Sequence, residues 1–264
     1  MRLICLNGWG GVLYPALTDF LRAADPDVLC LQEVIHTPAA PCDWLEYRDG
    51  DHVLPQRARM FDEVKAALPG HAAVFCPAAT GVLWDGDRAW PSHWGLASFV
   101  RGTIPVIGQA QGFVHKEYSP DGYGAHPRSR PAHALRLWAG GAVVIAQMHG
   151  LRDPAAGKAD TPERAAQADR FAALIDGLAQ PGDGVIACGD FNVLPGSATL
   201  ARLAALGLRD LVTAGGFDGT RTARYAKPDR FADYLMVNAR VPVRRFEVIH
   251  DPEVSDHCPL WLET

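Results

Sequence analysis

Much that would announce a function is missing from this 264-residue chain, and each omission narrows the choice. Its six cysteines, Cys5, Cys30, Cys42, Cys76, Cys188 and Cys258, include no C-x-x-C pair and mostly stand in apolar runs. That excludes a disulfide framework and a Cys-rich zinc site. No stretch approaches the ~20 apolar residues of a membrane span, and the opening MRLICLN reads as a strand rather than a secretory leader. A cytoplasmic protein without a membrane partner is expected. Positive charge is in deficit, with 25 Lys and Arg against 30 Asp and Glu. There is no global basic footprint for nucleic acid, although a local patch survives easily inside an acidic average. Repeats, linkers and low-complexity runs are lacking too, so residues 1–264 are expected to form one domain, with a monomer as default.

The motifs of several enzyme classes are also absent. There is no G-x-S-x-G elbow for a serine hydrolase and no G-x-G-x-x-G after a strand, and Gly157-Lys158 lacks the Ser or Thr of a P-loop. What remains is an ordinary globular composition, 48% hydrophobic and 21% charged, able to bury a large core.

Apolar runs that read as strands recur along the whole chain: Leu3 to Leu6, Val28 to Leu31, Ala72 to Phe75, Leu96 to Val100, Ala134 to Trp138, Ala142 to Met148, Val185 to Cys188, Tyr234 to Val237, Phe246 to Ile249 and Pro259 to Leu262. Gly140-Gly141 predicts a hairpin between two of them. Helical spacing covers Pro15 to Ala24, Arg59 to Leu68, Pro162 to Leu178 and Ser197 to Leu206. The third has Thr161 as N-cap, Pro162 at the first helical position and Glu163 in the first turn. Many strands and few helices predict two packed sheets with flanking helices.

The strands end in an unusual way. RLICLN closes on Asn7, DVLCLQE on Glu33, AVVIAQMH on His149, and GVIACGDFN on Asp190 and Asn192. Two runs begin on polar groups, Asp233 before YLMV and Asp256-His257 before CPLWLE. In a mixed sheet the start of an antiparallel strand shares an edge with the ends of its neighbours, so one rim can collect all eight. Singly, each has a plain reading: Asn7 before Gly8 as a turn, Glu33 as a solvated strand end, Asp233 as a surface partner of Arg230. Their joint occurrence is what turns and surface pairs do not predict. Carboxylates with Asn and His, and no thiolates, suit a hard cation such as Mg²⁺ or Mn²⁺. Such a cation beside a carboxylate or His-Asp base is the equipment of phosphate-ester hydrolysis.

In order along the chain, LNGW (Leu6 to Trp9), LQE (Leu31 to Glu33), GDFN (Gly189 to Asn192), DY (Asp233-Tyr234) and SDHCPL (Ser255 to Leu260) resemble the motifs of the endonuclease/exonuclease/phosphatase superfamily. The resemblance implies an α/β fold of the DNase I-like kind, a four-layer α/β sandwich of two mixed β-sheets packed face to face with flanking helices. It implies Glu33 as principal metal ligand with Asn7 and Asp256 near the metal. Asp190 then orients or activates water, Asn192 bonds the phosphate, His257 with Asp233 serves as base or phosphoryl stabiliser, and His149 contacts phosphate. One departure stands out: where the family often has H-x-H, this chain has Gln147-Met148-His149.

The expected function is a divalent-metal-dependent phosphoester hydrolase. A phosphodiesterase or nuclease acting on nucleic acid or nucleotides leads, with a phosphatase or phosphodiesterase for a small metabolite or lipid headgroup as the alternative. A catalytically silent nucleic-acid-binding module is third, and the complete set of acids and histidines argues against it. Two tracts are expected to be loops over the rim: VLWDGDRAWPSHWG, with Trp84, Trp90, Trp94 and Arg88, and HKEYSPDGYGAHPRSRPAH, with Tyr118, Tyr123, Lys116, Arg128 and Arg130. Aromatics interleaved with cations stack bases and hold phosphates. Arg152, Lys158 and Arg164, after His149, are further candidates for a substrate phosphate.

Overall fold

The computed structural model describes residues 1–264. Two mixed sheets carry the chain. In order along the sequence they draw on β1 (Arg2–Asn7), β2 (Val28–His36), β3 (Trp44–Asp49), β4 (His52–Arg57), β5 (His71–Asp85), β6 (Arg88–Arg101), β7 (Val106–His115), β8 (Arg130–Trp138), β9 (Ala142–His149), β10 (Gly184–Asp190), β11 (Arg209–Asp210), β12 (Asp233–Val237), β13 (Arg245–Val248) and β14 (Leu260–Glu263). The larger sheet has the order β13-β14-β1-β2-β6-β5-β3-β4, and the smaller β11-β12-β10-β9-β8-β7. Helices α1 (Tyr14–Ala24), α2 (Met60–Ala67), α3 (Pro162–Leu178), α4 (Ala198–Ala204) and the single turn α5 (Leu211–Ala214) complete the chain.

The apolar runs are nearly continuous because central strands bury both faces. In β1, Leu3 and Cys5 turn into the core between the sheets, while Ile4 and Leu6 join Leu17 and Leu21 of α1 and Met60 and Val64 of α2 in a second core. Strand β2 divides alike, Val28 and Cys30 inward, Leu29 and Leu31 toward the helices. On the far side α3 packs against β7, β8 and β9 and contributes Phe171 and Ile175 to the first core. The layers are therefore helix, sheet, sheet, helix. All six cysteines are free thiols, and no helix is long and apolar enough to cross a membrane.

The expected helices form within one or two residues of their predicted limits. Thr161 caps α3 by accepting from the Arg164 N–H, and Ser197 caps α4. Gly140, at φ 76°, sits in the β8–β9 hairpin turn. Four strands were not expected, the two-residue β11 among them. Strands β3 and β4 form a polar hairpin at the sheet edge, and β7 is an edge strand broken by Gly108 and Gly112; edges bury too little to leave a clear pattern. The tract Val82 to Gly95, expected as a loop, is instead the outer half of the β5–β6 hairpin, Val82 pairing with Pro91 and Leu83 with Trp90. In its neighbour, the stretch between His115 and Arg130 is indeed irregular.

A thin polar chain crosses the core between the sheets. Gln32 donates to Gln147 Oε1 (2.8 Å), and Gln147 donates to the Ala97 carbonyl and to Ser98 Oγ (both 2.8 Å). Ser98 Oγ meets His133 Nδ1 at 2.8 Å. His133 is 1% exposed, and burial pushes its imidazole down to about 4. The unfolded chain takes up this proton near pH 6.5 while the folded chain refuses it until about pH 4, so stability is kept above pH 6.5 and lost as pH falls through that window. The difference amounts to about 3 kcal/mol. Urea unfolding from pH 7 to 4 is expected to show a shallower acid loss in His133→Gln than in wild type; parallel curves would remove His133 from the acid response.

Candidate active site

Strand pairing builds the rim. Strand β1 is parallel to β2, with Asn7 opposite Gln32, and β9 is parallel to β10, with Asp190 opposite His149. All four strands end on the same edge. Strand β12 runs antiparallel and starts there, Asp233 opposite Asp190, and β14 returns beside β1 just after Asp256 and His257. Ser255 fastens this return by donating to the Asn7 carbonyl at 2.7 Å.

Local backbone geometry then aims the side chains. The β2–β6 register slips between Leu31 and Val34, and Glu33 within the slip has φ 54°. A bulge of this kind re-aims a side chain. Asn192 has φ 53°, which Asn tolerates better than most residues, and its N–H donates to Asp190 Oδ1 at 3.0 Å. Gly189, with φ 141°, lies against the Met148 carbonyl so closely that a Cβ would come within 2.0 Å of it.

Asp190 is the centre of the arrangement. Its Oδ2 accepts from Asn7 Nδ2 at 3.0 Å and lies 3.6 Å from both His149 Nε2 and His257 Nε2. His257 Nδ1 faces both oxygens of Asp233 at 2.9 Å, and Thr220 Oγ1 donates to Asp233 Oδ2 at 2.8 Å. The carboxylate thereby fixes the Nδ1–H tautomer and leaves Nε2 an acceptor on the edge that faces Asp190, itself an acceptor, so that a donor such as water fits between them. Burial, with Arg221 close by, pushes the His257 imidazole down to about 4, so the ring is neutral near neutral pH. His149, 3% exposed, is likewise held well below its usual range by burial and by Arg130. Glu33 is pushed up to about 7 by burial and by the charges of Asp256 and Asp190. The carboxylates of Asp190 and Asp233 and the His257 ring offer ligand atoms within 4.8 Å of one another, a set that could itself grip a cation.

Two guanidinium groups flank these acids. Arg221 reaches Asp256 Oδ2 at 2.7 Å and Asp190 Oδ2 at 3.9 Å and lies over the Tyr225 ring at 4.3 Å. Sequence reading missed it; only an isolated bridge between Arg221 and His257 brings it in, and no local pattern announces that pairing. Arg130, expected on a loop gripping a polymer backbone, is instead 2% exposed at the start of β8, 5.0 Å from the Trp94 ring. Its Nε and Nη1 have no partner. Burial lowers it to about 10, with Glu33 and Asp190 working the other way.

The other candidate residues take varied places. Asn7, expected beside a metal, gives its amide nitrogen to Asp190 and its Oδ1 to the Trp9 N–H (3.0 Å), so it presents a donor to the site and positions Asp190. Arg164 holds no phosphate: it is 1% exposed and donates to the carbonyls of Leu151, Gly157 and Ala159, knitting the segment before α3. Lys158 lines the site but donates to the carbonyls of Phe231 and Asp229. Arg128 lines it too, bound to Tyr47 Oη (2.7 Å), Asp49 (3.0 Å) and the Gly124 carbonyl (3.0 Å). Arg230 serves carbonyls of the loop before β12 and leaves Asp233 to His257. Trp94 lies at the site, 5.6 Å from the His149 ring, whereas Trp90 packs on the helix-side core.

A cavity of about 490 Å³ opens over the acids, a volume in the small-molecule range. The turn after β1, the β3–β4 hairpin, the segment before β8 and the loops after β9 and before β12 wall it, giving aromatic rings (Trp9, Tyr47, Tyr123, Tyr225) as well as cations.

Comparison with known proteins gives the same picture. Residues 6–257 match the model of the endonuclease/exonuclease/phosphatase family. No curated protein is significantly similar in sequence. Among solved structures, the mannosyl-6-phosphatase of Bacteroides thetaiotaomicron superposes with a TM-score of 0.67 at 17% identity, covering 100% of this chain and 98% of that one. The human Nocturnin catalytic domain gives 0.67 at 20% identity, over 99% and 92% of the two chains. An endonuclease/exonuclease/phosphatase from Beutenbergia cavernae gives 0.67 at 18%, over 99% and 70%.

The tight approach at Gly189 makes a structural test of how the Asp190 strand end is built. Gly189→Ala is expected to cost about 3 kcal/mol through strain and a displaced ladder. Urea denaturation measures it, and a loss below about 1 kcal/mol would mean that the β9–β10 junction yields freely.

Proposed function

The chain belongs to the endonuclease/exonuclease/phosphatase family, and on that footing we propose that it is a divalent-metal-dependent phosphoester hydrolase whose substrate is a small phosphoester or nucleotide held in the walled cavity. The observation that carries the reading is Asp190, anchored by Asn7 and the Asn192 N–H and facing His149 and the Asp233-supported His257 within 3.6 Å.

The residues present fit a hard cation. Glu33 and Asp256 offer oxygen donors without a thiolate among them, and burial together with the charges of Asp256 and Asp190 raises Glu33, a disturbance that a bound cation relieves. Glu33 and Asp256 would hold Mg²⁺ or Mn²⁺. When bound, the ion supplies positive charge that polarises the phosphoryl group and offsets charge on the leaving oxygen. Asp190 accepts a proton from the attacking water as its oxygen forms the new P–O bond, and His257 Nε2 faces the same point and orients that water. The bond to the ester oxygen breaks, and that oxygen leaves as alkoxide and takes a proton from solvent. Asn192, His149 and Arg221 hold the phosphoryl oxygens.

A nucleic-acid substrate is the second reading, favoured by the aromatic rings in the cavity wall, which suit base stacking. What speaks for the smaller substrate is the engagement of Arg128 with Tyr47 and Asp49 and the burial of Arg130, since neither guanidinium lies on an open strip that a polymer backbone could follow. A salt series separates them: kcat/KM for an oligonucleotide should fall steeply with salt if several phosphates are gripped, while bis-p-nitrophenyl phosphate should change little.

The reaction itself is tested on bis-p-nitrophenyl phosphate and p-nitrophenyl phosphate. Asp190→Asn is expected to lower kcat by about 10²- to 10⁴-fold with a melting temperature close to wild type, since the amide keeps nearly the carboxylate's shape. EDTA is expected to abolish turnover, and Mg²⁺ or Mn²⁺ to restore it. Undiminished turnover after verified metal removal would overturn the metal-dependent reading.

A further inference from the structure

One wall of the cavity carries more positive charge than the reaction centre uses. His126 and Arg128 stand in the irregular segment before β8, Arg130 opens β8, and Arg152 follows β9; all four line the cavity. Arg128 alone is matched by a carboxylate, that of Asp49. Arg152 is exposed and its guanidinium enters no ion pair. Two nitrogens of the buried Arg130 lack partners, as does the buried Nδ1 of His126. The charges are close enough to be felt: burial together with Arg128, Arg152 and Arg130 pushes His126 down to about 4.

Like charges gathered around unsatisfied buried donors are costly unless an anion completes them. The scissile group has its own donors at the floor, in Asn192, His149 and Arg221. Two planar guanidinium forks and an imidazole lining one cavity suit the three oxygens of a phosphate monoester. Resting on the phosphoester-hydrolase reading above, we propose that Arg130, Arg152 and His126 bind a second, uncleaved phosphate, so that the preferred substrate is a small bisphosphorylated molecule.

The experiment compares compounds that differ by one phosphate: fructose 6-phosphate with fructose 1,6-bisphosphate, and adenosine 5′-phosphate with adenosine 3′,5′-bisphosphate. Turnover is followed with Mg²⁺, and calorimetric binding of the same four compounds is followed in EDTA. In the pair that represents the natural class, sugar or nucleotide, the bisphosphate is expected to bind and react about 10- to 100-fold better, the yield of charge-assisted hydrogen bonds to the extra group. Arg152→Glu, at an exposed position that the fold does not depend on, is expected to erase most of that ratio, and Arg152→Lys to keep part of it. Equal binding of mono- and bisphosphates in both pairs, or a bisphosphate preference untouched by Arg152→Glu, would overturn the second site. Hydrolysis of bis-p-nitrophenyl phosphate reports separately on the hydrolase reading. Its absence would sink that reading, while the binding ratios would still decide the second site.

Discussion

One hydrogen bond joins the two halves of this molecule at the place where chemistry is proposed: Asn7 Nδ2, at the end of β1 in the larger sheet, donates to Asp190 Oδ2, at the end of β10 in the smaller. Two sheets that pack through apolar faces slide over one another at little cost, because hydrophobic contact is not directional. A buried charge-assisted bond is directional and strong, so it fixes the sheets in register at their common edge. The rest of the site inherits that register. His149 arrives with β9, Asp233 with β12, and His257 with the turn into β14, each set by a strand pairing that refers back to β1 or β10. The polar chain from Gln32 through Gln147 and Ser98 to His133 repeats the device deeper between the same sheets.

This explains what could be read in the sequence. Central strands leave continuous apolar runs, and a polar residue at the end of such a run marks the edge, so Asn7, Glu33, His149, Asp190 and Asp233 could be placed on one rim before any coordinates. Gln147, which stands where the family often has a second histidine, proves to be part of the bridge between the sheets. The family resemblance and the two-sheet architecture were legible for the same reason, since the motifs lie at strand ends in chain order.

The remainder was hidden because it depends on long-range pairing or on atoms that a residue type does not reveal. Arg221 joins the acids only through its bridge to His257, and in sequence it is one arginine in a Gly- and Thr-rich segment. Arg164 looked like a free cation, yet its guanidinium is spent on three carbonyls of its own chain. Arg128 and Arg130 stand two residues apart and looked alike; one braces a tyrosine and an aspartate, the other is buried against Trp94 with nitrogens left open. Edge strands β3 and β4 were invisible because a polar hairpin with Pro55 in it lacks any strong alternation.

That hairpin shares a single registered pair with its sheet, Glu46 with Trp84, and is otherwise held by side chains: Leu45 in the helix-side core, Arg48 on the Gly86 carbonyl, Arg57 on Glu63 of α2, and Arg128, from the segment before β8, on Tyr47 and Asp49. On this side the cavity wall is attached mainly through side chains, and the floor through strand pairing. The floor belongs to strands whose displacement would unpick both cores, whereas the hairpin stands at the sheet margin. Lengthening or recomposing the hairpin would therefore change what that side of the cavity admits while leaving the strand ends around Asp190 in place.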